Sequence, residues 1–224
     1  MEYLNVLKDI FINGERYQYI LKGLGFSLSV TALAAILGMV FGVVFALLRL
    51  SKVKVLERIS ILYVDLVRGT PAVVQLMILA NGIFVGSLRD VPIMVVAALA
   101  FGINSGAYVA EIIRAGIEGL DKGQMEAARS LGMNYGQAMH DIILPQAVKR
   151  ILPALVSEFI TLLKETSIVG FIGGVDLLRS ANIITSQTYR GVEPLIAVGI
   201  IYLILTAVFT KIMRIVEGRL KVSD

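Results

Sequence analysis

Apolar residues run along this chain in long, nearly unbroken blocks, a pattern that does not suit half-buried soluble helices with their three-and-four spacing. A helix needs roughly 20 apolar residues to cross about 30 Å of hydrocarbon, and five blocks meet or approach that length. The first extends from Gly23 to Leu48, where Gly38 and Gly42 form a small-residue pair that lets a neighbouring helix come close. The second runs from about Ile59 to Val85 and is interrupted by Arg68-Gly69-Thr70-Pro71. The third covers about Pro92 to Ile113, the fourth about Ile151 to Ile172 and the fifth about Pro194 to Ile215. Within residues 1–22, Leu4, Leu7, Phe11 and Ile12 recur at helical spacing, which predicts a short amphipathic helix at the membrane interface. Early acidic residues, with no short apolar core and cleavage site, argue against a cleaved signal peptide. The expected fold is an all-α integral membrane protein with five transmembrane helices over residues 23–215, followed by a cytoplasmic tail at 216–224.

Composition agrees with a lipid solvent: 57% of the residues are hydrophobic and 17% charged, and the mean hydropathy is +0.81. Cysteine is absent and His140 is the one histidine, so disulfides, thiolate metal sites and cysteine nucleophiles are excluded. No metal site and no catalytic residue is expected. The formal charge of +4 reflects basic loops on one membrane face rather than nucleic-acid binding. Five spans place thirteen Lys and Arg on one side, including Arg49, Lys52, Arg114, Lys149 and Arg150, against six on the other. The basic side is then the cytoplasm, which puts the N-terminus outside and the C-terminus inside.

The longest polar interruption, Ala115 to Arg150, falls on that cytoplasmic side. Gln124 to Leu131 is helical in pattern, Gly132 suits a helix stop, and a second helical stretch from Tyr135 is expected to end before Pro145. The segment reads Glu126-Ala127-Ala128, three residues, Gly132, nine residues, Ile142, one residue, Leu144-Pro145. This spacing resembles the EAA loop of the inner-membrane permease subunits of ABC importers. Other stretches resemble the polar amino acid branch of that family: Arg68-Gly69-Thr70-Pro71 with Gln75 and Leu76, Ala110-Glu111-Ile112 with Arg114, Leu144-Pro145-Gln146-Ala147, and Leu163-Lys164-Glu165-Thr166-Ser167. The likeness covers the chain from about Gly23 onward.

The resemblance implies a transmembrane subunit, not an enzyme, that works in a bacterial cytoplasmic (inner) membrane. Its implied partners are a second permease subunit related by a two-fold axis, two ATP-binding subunits, an extracytoplasmic substrate-binding protein, membrane lipid and an amino acid substrate. ATP and Mg would be bound by the ATPase partner, and the chain has no GxxxxGK[ST] phosphate loop of its own. A transporter without a nucleotide site must receive work through a rigid contact. Small Ala127 and Ala128 suit close approach to a groove on the ATPase, with Gln124, Glu126 and Arg129 at the rim and Gly132 ending the coupling helix.

Ionisable groups at membrane depth cost roughly 2.5 kcal/mol or more each and are therefore functional candidates. Ser157, Glu158, Thr161, Lys164 and Glu165 make one polar stripe on the fourth span, and Asn104, Tyr108 and Glu111 share a face of the third. The second span contributes Asp65 and, at its break, Arg68, Thr70 and Gln75. Pro71 and Gly69 free backbone groups that persist only beside protein or a wet cavity, which suits a substrate site. Arg68 or nearby amides would meet a substrate carboxylate, and a carboxylate its ammonium. Structural roles compete: Glu111 has Arg114 three residues on, Asp65 has Arg68, and Lys164 and Glu165 suit ion pairs within the bundle. Glu158 has no base three or four residues away and is the leading substrate contact. Four acids against two bases inside the spans favour a basic substrate (arginine, lysine or histidine), with glutamine, glutamate or a broad polar range next. The rival reading is a secondary transporter or channel driven by an ion gradient, which would use the same acids but leave the cytoplasmic motif without a purpose.

Overall fold

The computed structural model describes residues 2–83 and 90–221, and every regular element among them is helical. Helix α1 (Glu2–Phe11) precedes α2 (Tyr17–Arg49), α3 (Lys54–Arg68) and α4 (Ala72–Ile78), which continues as a π-helical turn over Leu79–Ile83. Then come α5 (Ile93–Glu118), α6 (Lys122–Ser130), α7 (Tyr135–Ala138), a π-helical turn at Met139–Ile143 and α8 (Leu144–Glu165). A 3-10 segment (Thr166–Ile172), α9 (Leu177–Thr188) and α10 (Val192–Lys221) complete the order.

Helices α2, α5 and α10 over Val192–Ile215 are each long and apolar enough to cross a membrane. Helix α3 and the stretch Ala72–Gly82 meet the same test as one segment bent by 102° at the expected break. Helix α8, at 22 residues, supplies the remaining segment and carries the polar stripe. The closest seam in the bundle joins α2 to α5 through glycines on both helices. A Cβ on Gly38 would sit 3.0 Å from Ser105, on Gly42 2.2 Å from Val109, on Gly102 2.6 Å from Leu37, and on Gly106 2.7 Å from Phe41. Beside the seam, Val30, Ala34, Leu76, Phe101, Leu162 and Val169 form one apolar core. A second core joins Ile10 of α1 to Ile20, Leu177, Ala181, Ile184 and Val198. Ile10 is 1% exposed, so α1 is pinned to the bundle by this side chain.

Several boundaries differ from those expected. The first span's helix starts at Tyr17 rather than Gly23, the third continues five residues past Ile113 to Glu118, and α10 runs into the expected tail as far as Lys221. Polar side chains can extend a helix beyond the hydrocarbon, so hydropathy marks the apolar stretch and not the helix end. Pro145 does not end the helix from Tyr135. The π-helical turn at Met139–Ile143 widens the ladder just where a proline ring would meet the carbonyl four residues back, and Pro145 takes its place in the first turn of α8. The fourth span is not α-helical to Ile172. Thr166 Oγ1 donates to the Leu163 carbonyl at 2.7 Å as the chain tightens into the 3-10 segment, which Gly173 ends at φ +87°. Val85 and Arg89 lie outside the described residues.

The loop between α5 and α8 is shaped by local caps. Asp121 caps α6 by accepting from the Gly123 amide at 2.9 Å, and Asn134 and Gln137 form a reciprocal capping box on α7. Gly132, at φ +90°, ends α6: its amide reaches the Arg129 carbonyl at 3.1 Å and the Met133 amide reaches Ala128 at 3.2 Å, a Schellman pattern. Gly132→Ala is expected to destabilise the loop by about 1 kcal/mol, because a Cβ is strained at that φ. Faster amide hydrogen exchange confined to residues 122–134, with the spans unchanged, is the signature to measure.

Candidate functional site

At the end of α3 the chain must satisfy carbonyls that Pro71 leaves without partners. Thr70 Oγ1 donates to the Leu66 carbonyl at 3.0 Å, and Gln75 Nε2 donates to the Val67 carbonyl at 2.7 Å and the Thr70 carbonyl at 3.2 Å. Asn104 Nδ2 of α5 in turn donates to Gln75 Oε1 at 3.0 Å. The bend is thus fixed by Thr70, Gln75 and Asn104, and Asn104 is buried. Thr70 and Asn104, expected as substrate contacts, are engaged in holding the break together. Beside it, Val67, Thr70, Val74, Gln75, Ala100 and Ile103 line a cavity of about 400 Å³, almost wholly apolar.

Across α5, Ser105 Oγ donates to Glu158 Oε1 at 2.8 Å and fixes that carboxylate between α5 and α8. Glu158 is half-buried, while Ser157, Thr161 and Lys164 are exposed on the same stripe. Neither Glu158, Lys164 nor Glu165 forms an ion pair among the described residues, so the intrabundle pairs considered for Lys164 and Glu165 are not seen there. One turn along α5 from Ser105, the ring of Tyr108 carries the Arg68 guanidinium, with its Cζ 5.2 Å from the ring centroid.

Glu111 does not join this group as an open carboxylate. Arg114 Nη2 pairs with Glu111 Oε1 at 2.5 Å and Nε donates to Oε2 at 2.9 Å, while Arg114 also pairs with Glu118. This bidentate contact within one helix makes Glu111 a structural partner. Asp65 is not paired to Arg68. It borders a small polar cavity of about 100 Å³ with Arg49, Ser60, Arg68 and Glu111. Of the expected substrate residues, Arg68 lies between Tyr108 on one side and the small cavity shared with Asp65 and Glu111 on the other, while Glu158 and Thr161 stand on the α8 stripe.

On the loop between α5 and α8, Gln124, Glu126, Ala127 and Arg129 are exposed, and Glu126 has no side-chain partner among the described residues. Ala128, at 4% exposure, packs into the loop's own core, so Ala127 is the small residue left on the outer face. Arg129 bends back to donate to the Met133 carbonyl at 3.0 Å, reinforcing the end of α6, and Gln124 accepts from Gln146 at 3.3 Å. The loop is tied to the bundle by Arg150, which donates to the Gly119 carbonyl, and by Ile151 packed on Gly116.

Residues 38–222 match the model of the binding-protein-dependent transport system inner membrane component family. The chain belongs to that family. As a transport component, this permease is not an enzyme. It is 44% identical over 206 residues to the arginine transport system permease protein ArtQ of Bacillus subtilis, covering 92% of this chain and 94% of that one. It is 40% identical over 207 residues to a putative glutamine transport system permease protein GlnP of Rickettsia bellii, with the same coverage. Among solved structures, a crystal structure of an amino acid ABC transporter with histidines superposes with a TM-score of 0.86 at 44% identity, over 93% of this chain and 98% of that one. An inward-facing MetNI methionine ABC transporter superposes with a TM-score of 0.73 over 91% and 97%, but at 18% identity it speaks to the fold alone.

One residue of weight in the permease escaped the sequence reading. Asp176, fully buried, accepts from the Gly170 amide at 2.7 Å and the Arg179 amide at 2.8 Å, joining the 3-10 segment to α9. An Asp just ahead of Leu177-Leu178 is a helix-start signal, but the twelve-residue α9 it begins is too short to register as a span.

Proposed function

We propose that this permease is the transmembrane subunit of an ATP-driven importer of basic amino acids. The observation that carries the substrate class is Glu158, a half-buried carboxylate held by Ser105 on a polar stripe that the chain itself leaves uncovered. With Glu111 neutralised by Arg114, and Asp65 set beside Arg49 and Arg68, the stripe presents Glu158 and Glu165 against Lys164. A cationic side chain balances that excess at least cost. The relative named for arginine transport supports this reading, and the one named for glutamine favours a second, in which a neutral amide is carried.

In the proposed assembly two permease subunits face one another across the α8 stripes, with two ATPase subunits beneath and a substrate-binding protein above. The N-terminus is extracytoplasmic and the C-terminus cytoplasmic. ATP and Mg are bound by the ATPase partners. Gln124, Glu126 and Ala127 meet the ATPase, while Ala128, Arg129 and Gly132 hold the coupling helix in shape. ATP closes the ATPase pair, the coupling helices move together and the spans rock outward; hydrolysis resets them.

The test is uptake of labelled arginine by the permease co-reconstituted with its ATPase partner in liposomes. Uptake requires ATP, and Glu158→Gln lowers it by about tenfold, as expected for losing one charge-assisted contact of about 1.4 kcal/mol. Uptake that proceeds without the ATPase and follows a proton gradient sinks the importer reading. Transport of glutamine with arginine ignored sinks only the basic-substrate reading.

A further inference from the structure

We propose that Arg68 is a specificity-determining residue that competes with the cationic side chain of the substrate for Glu158. The inference rests on the reading of Glu158 as a substrate contact and concerns what occupies its surroundings when the site is unloaded. Arg68 is the last residue of α3, directly ahead of the 102° bend. Its guanidinium lies on the ring of Tyr108, three residues and so about one helical turn from Ser105, the residue that holds Glu158. From that position its charge acts on Glu158 and on Glu111, yet it forms an ion pair with neither. Glu111 is already saturated by Arg114. Asp65 shares a small cavity with Arg68 and Arg49 on the other side; on the α8 stripe, Glu158 is the carboxylate in Arg68's field, and it forms no ion pair among the described residues.

A guanidinium is planar, weakly hydrated and always charged, and a ring face holds it without consuming its in-plane donors. Arg68 thus offers Glu158 the same chemical group that an arginine substrate brings. A cation arriving at Glu158 must share the carboxylate with this resident charge, which lowers its affinity. A neutral ligand of the same shape feels no such competition. This separates a competitor from the alternative role, in which Arg68 clamps the substrate carboxylate: a clamp strengthens every amino acid equally, whereas a competitor weakens cations alone.

Equilibrium binding of arginine and of citrulline, its uncharged near-isostere, to the detergent-purified complex of permease and ATPase partner tests the idea. Arg68→Gln is expected to tighten arginine by about tenfold while citrulline changes by less than about twofold. Arg68→Lys keeps the charge and should leave arginine close to its original affinity. Melting curves of each variant establish that the fold is retained. Equal weakening of both ligands by Arg68→Gln makes Arg68 a clamp and overturns the proposal, as does an arginine affinity indifferent to the substitution. Absence of saturable arginine binding to the unsubstituted complex overturns the substrate reading itself and this inference with it.

Discussion

Leucine in place of Gly42 is expected to prevent the first and third spans from packing and to leave little folded permease in the membrane. A Cβ there falls 2.2 Å from Val109 Cγ1 and 2.5 Å from Val109 Cβ, with the Ala110 amide nitrogen at 3.2 Å. A β-branched carbon next to the backbone cannot swing aside, so α5 must move away from α2. Because Gly38, Gly102 and Gly106 make similar approaches, that movement opens the whole seam, at a cost of about 3 kcal/mol or more. Gly199 provides the contrast. A Cβ there has nothing within 4 Å among the described residues, and leucine should be tolerated. Expression as a fluorescent fusion, followed by size-exclusion in mild detergent, compares the two. A monodisperse peak for Gly42→Leu at the level of the unsubstituted protein would show that the seam is softer than its geometry.

Asp176→Ala should be the next most damaging change. Both carboxylate oxygens are used, one by the Gly170 amide and one by the Arg179 amide, and the side chain itself is buried beside an open pocket of about 220 Å³. Alanine leaves two part-buried donors without their acceptor, each costing roughly 1 kcal/mol or more, so the expected loss is about 2 kcal/mol or more. Asparagine retains one acceptor and should recover about half of it. Thermal melts of the purified protein read the effect, and Asn and Ala variants that melt alike would mean that only one of the two bonds carries weight.

The fold was legible where the sequence encodes solvent. Lipid requires continuous apolar stretches, so α2, α5 and α10 stood out, and Pro71 with Gly69 marked the bend because a missing donor has no local remedy except side chains such as Thr70 and Gln75. The glycine seam was half visible: Gly38 and Gly42 announced a close neighbour, but which helix answered them depends on tertiary packing. Helix ends were less legible, since Arg114 and Glu118 continue α5 as readily as apolar residues do and the π-helical turn ahead of Pro145 has no compositional signature. At the site, three-residue spacing correctly offered Arg114 as a partner for Glu111 but equally offered Arg68 to Asp65. There a ring on another helix, Tyr108, took the guanidinium instead. Ala127 and Ala128 looked equivalent in the motif, yet a helix turns by about 100° per residue, and one of them had to face inward.

The tight contact of Gly116 with Ile151, together with Arg150 on the Gly119 carbonyl, makes the proposed coupling loop a stiff bracket instead of a tether. Both ends are anchored within a few residues of each other, one on α5 and one on α8. A push at α6 therefore cannot be dissipated by slack in the connection. It arrives at two helices simultaneously, and these are the two whose side chains, Ser105 and Glu158, are bonded to each other about three to four turns deeper along α5 and about two along α8. Any tilt of one against the other stretches or releases that single hydrogen bond, so the pair serves as a strain gauge at the far end of the bracket.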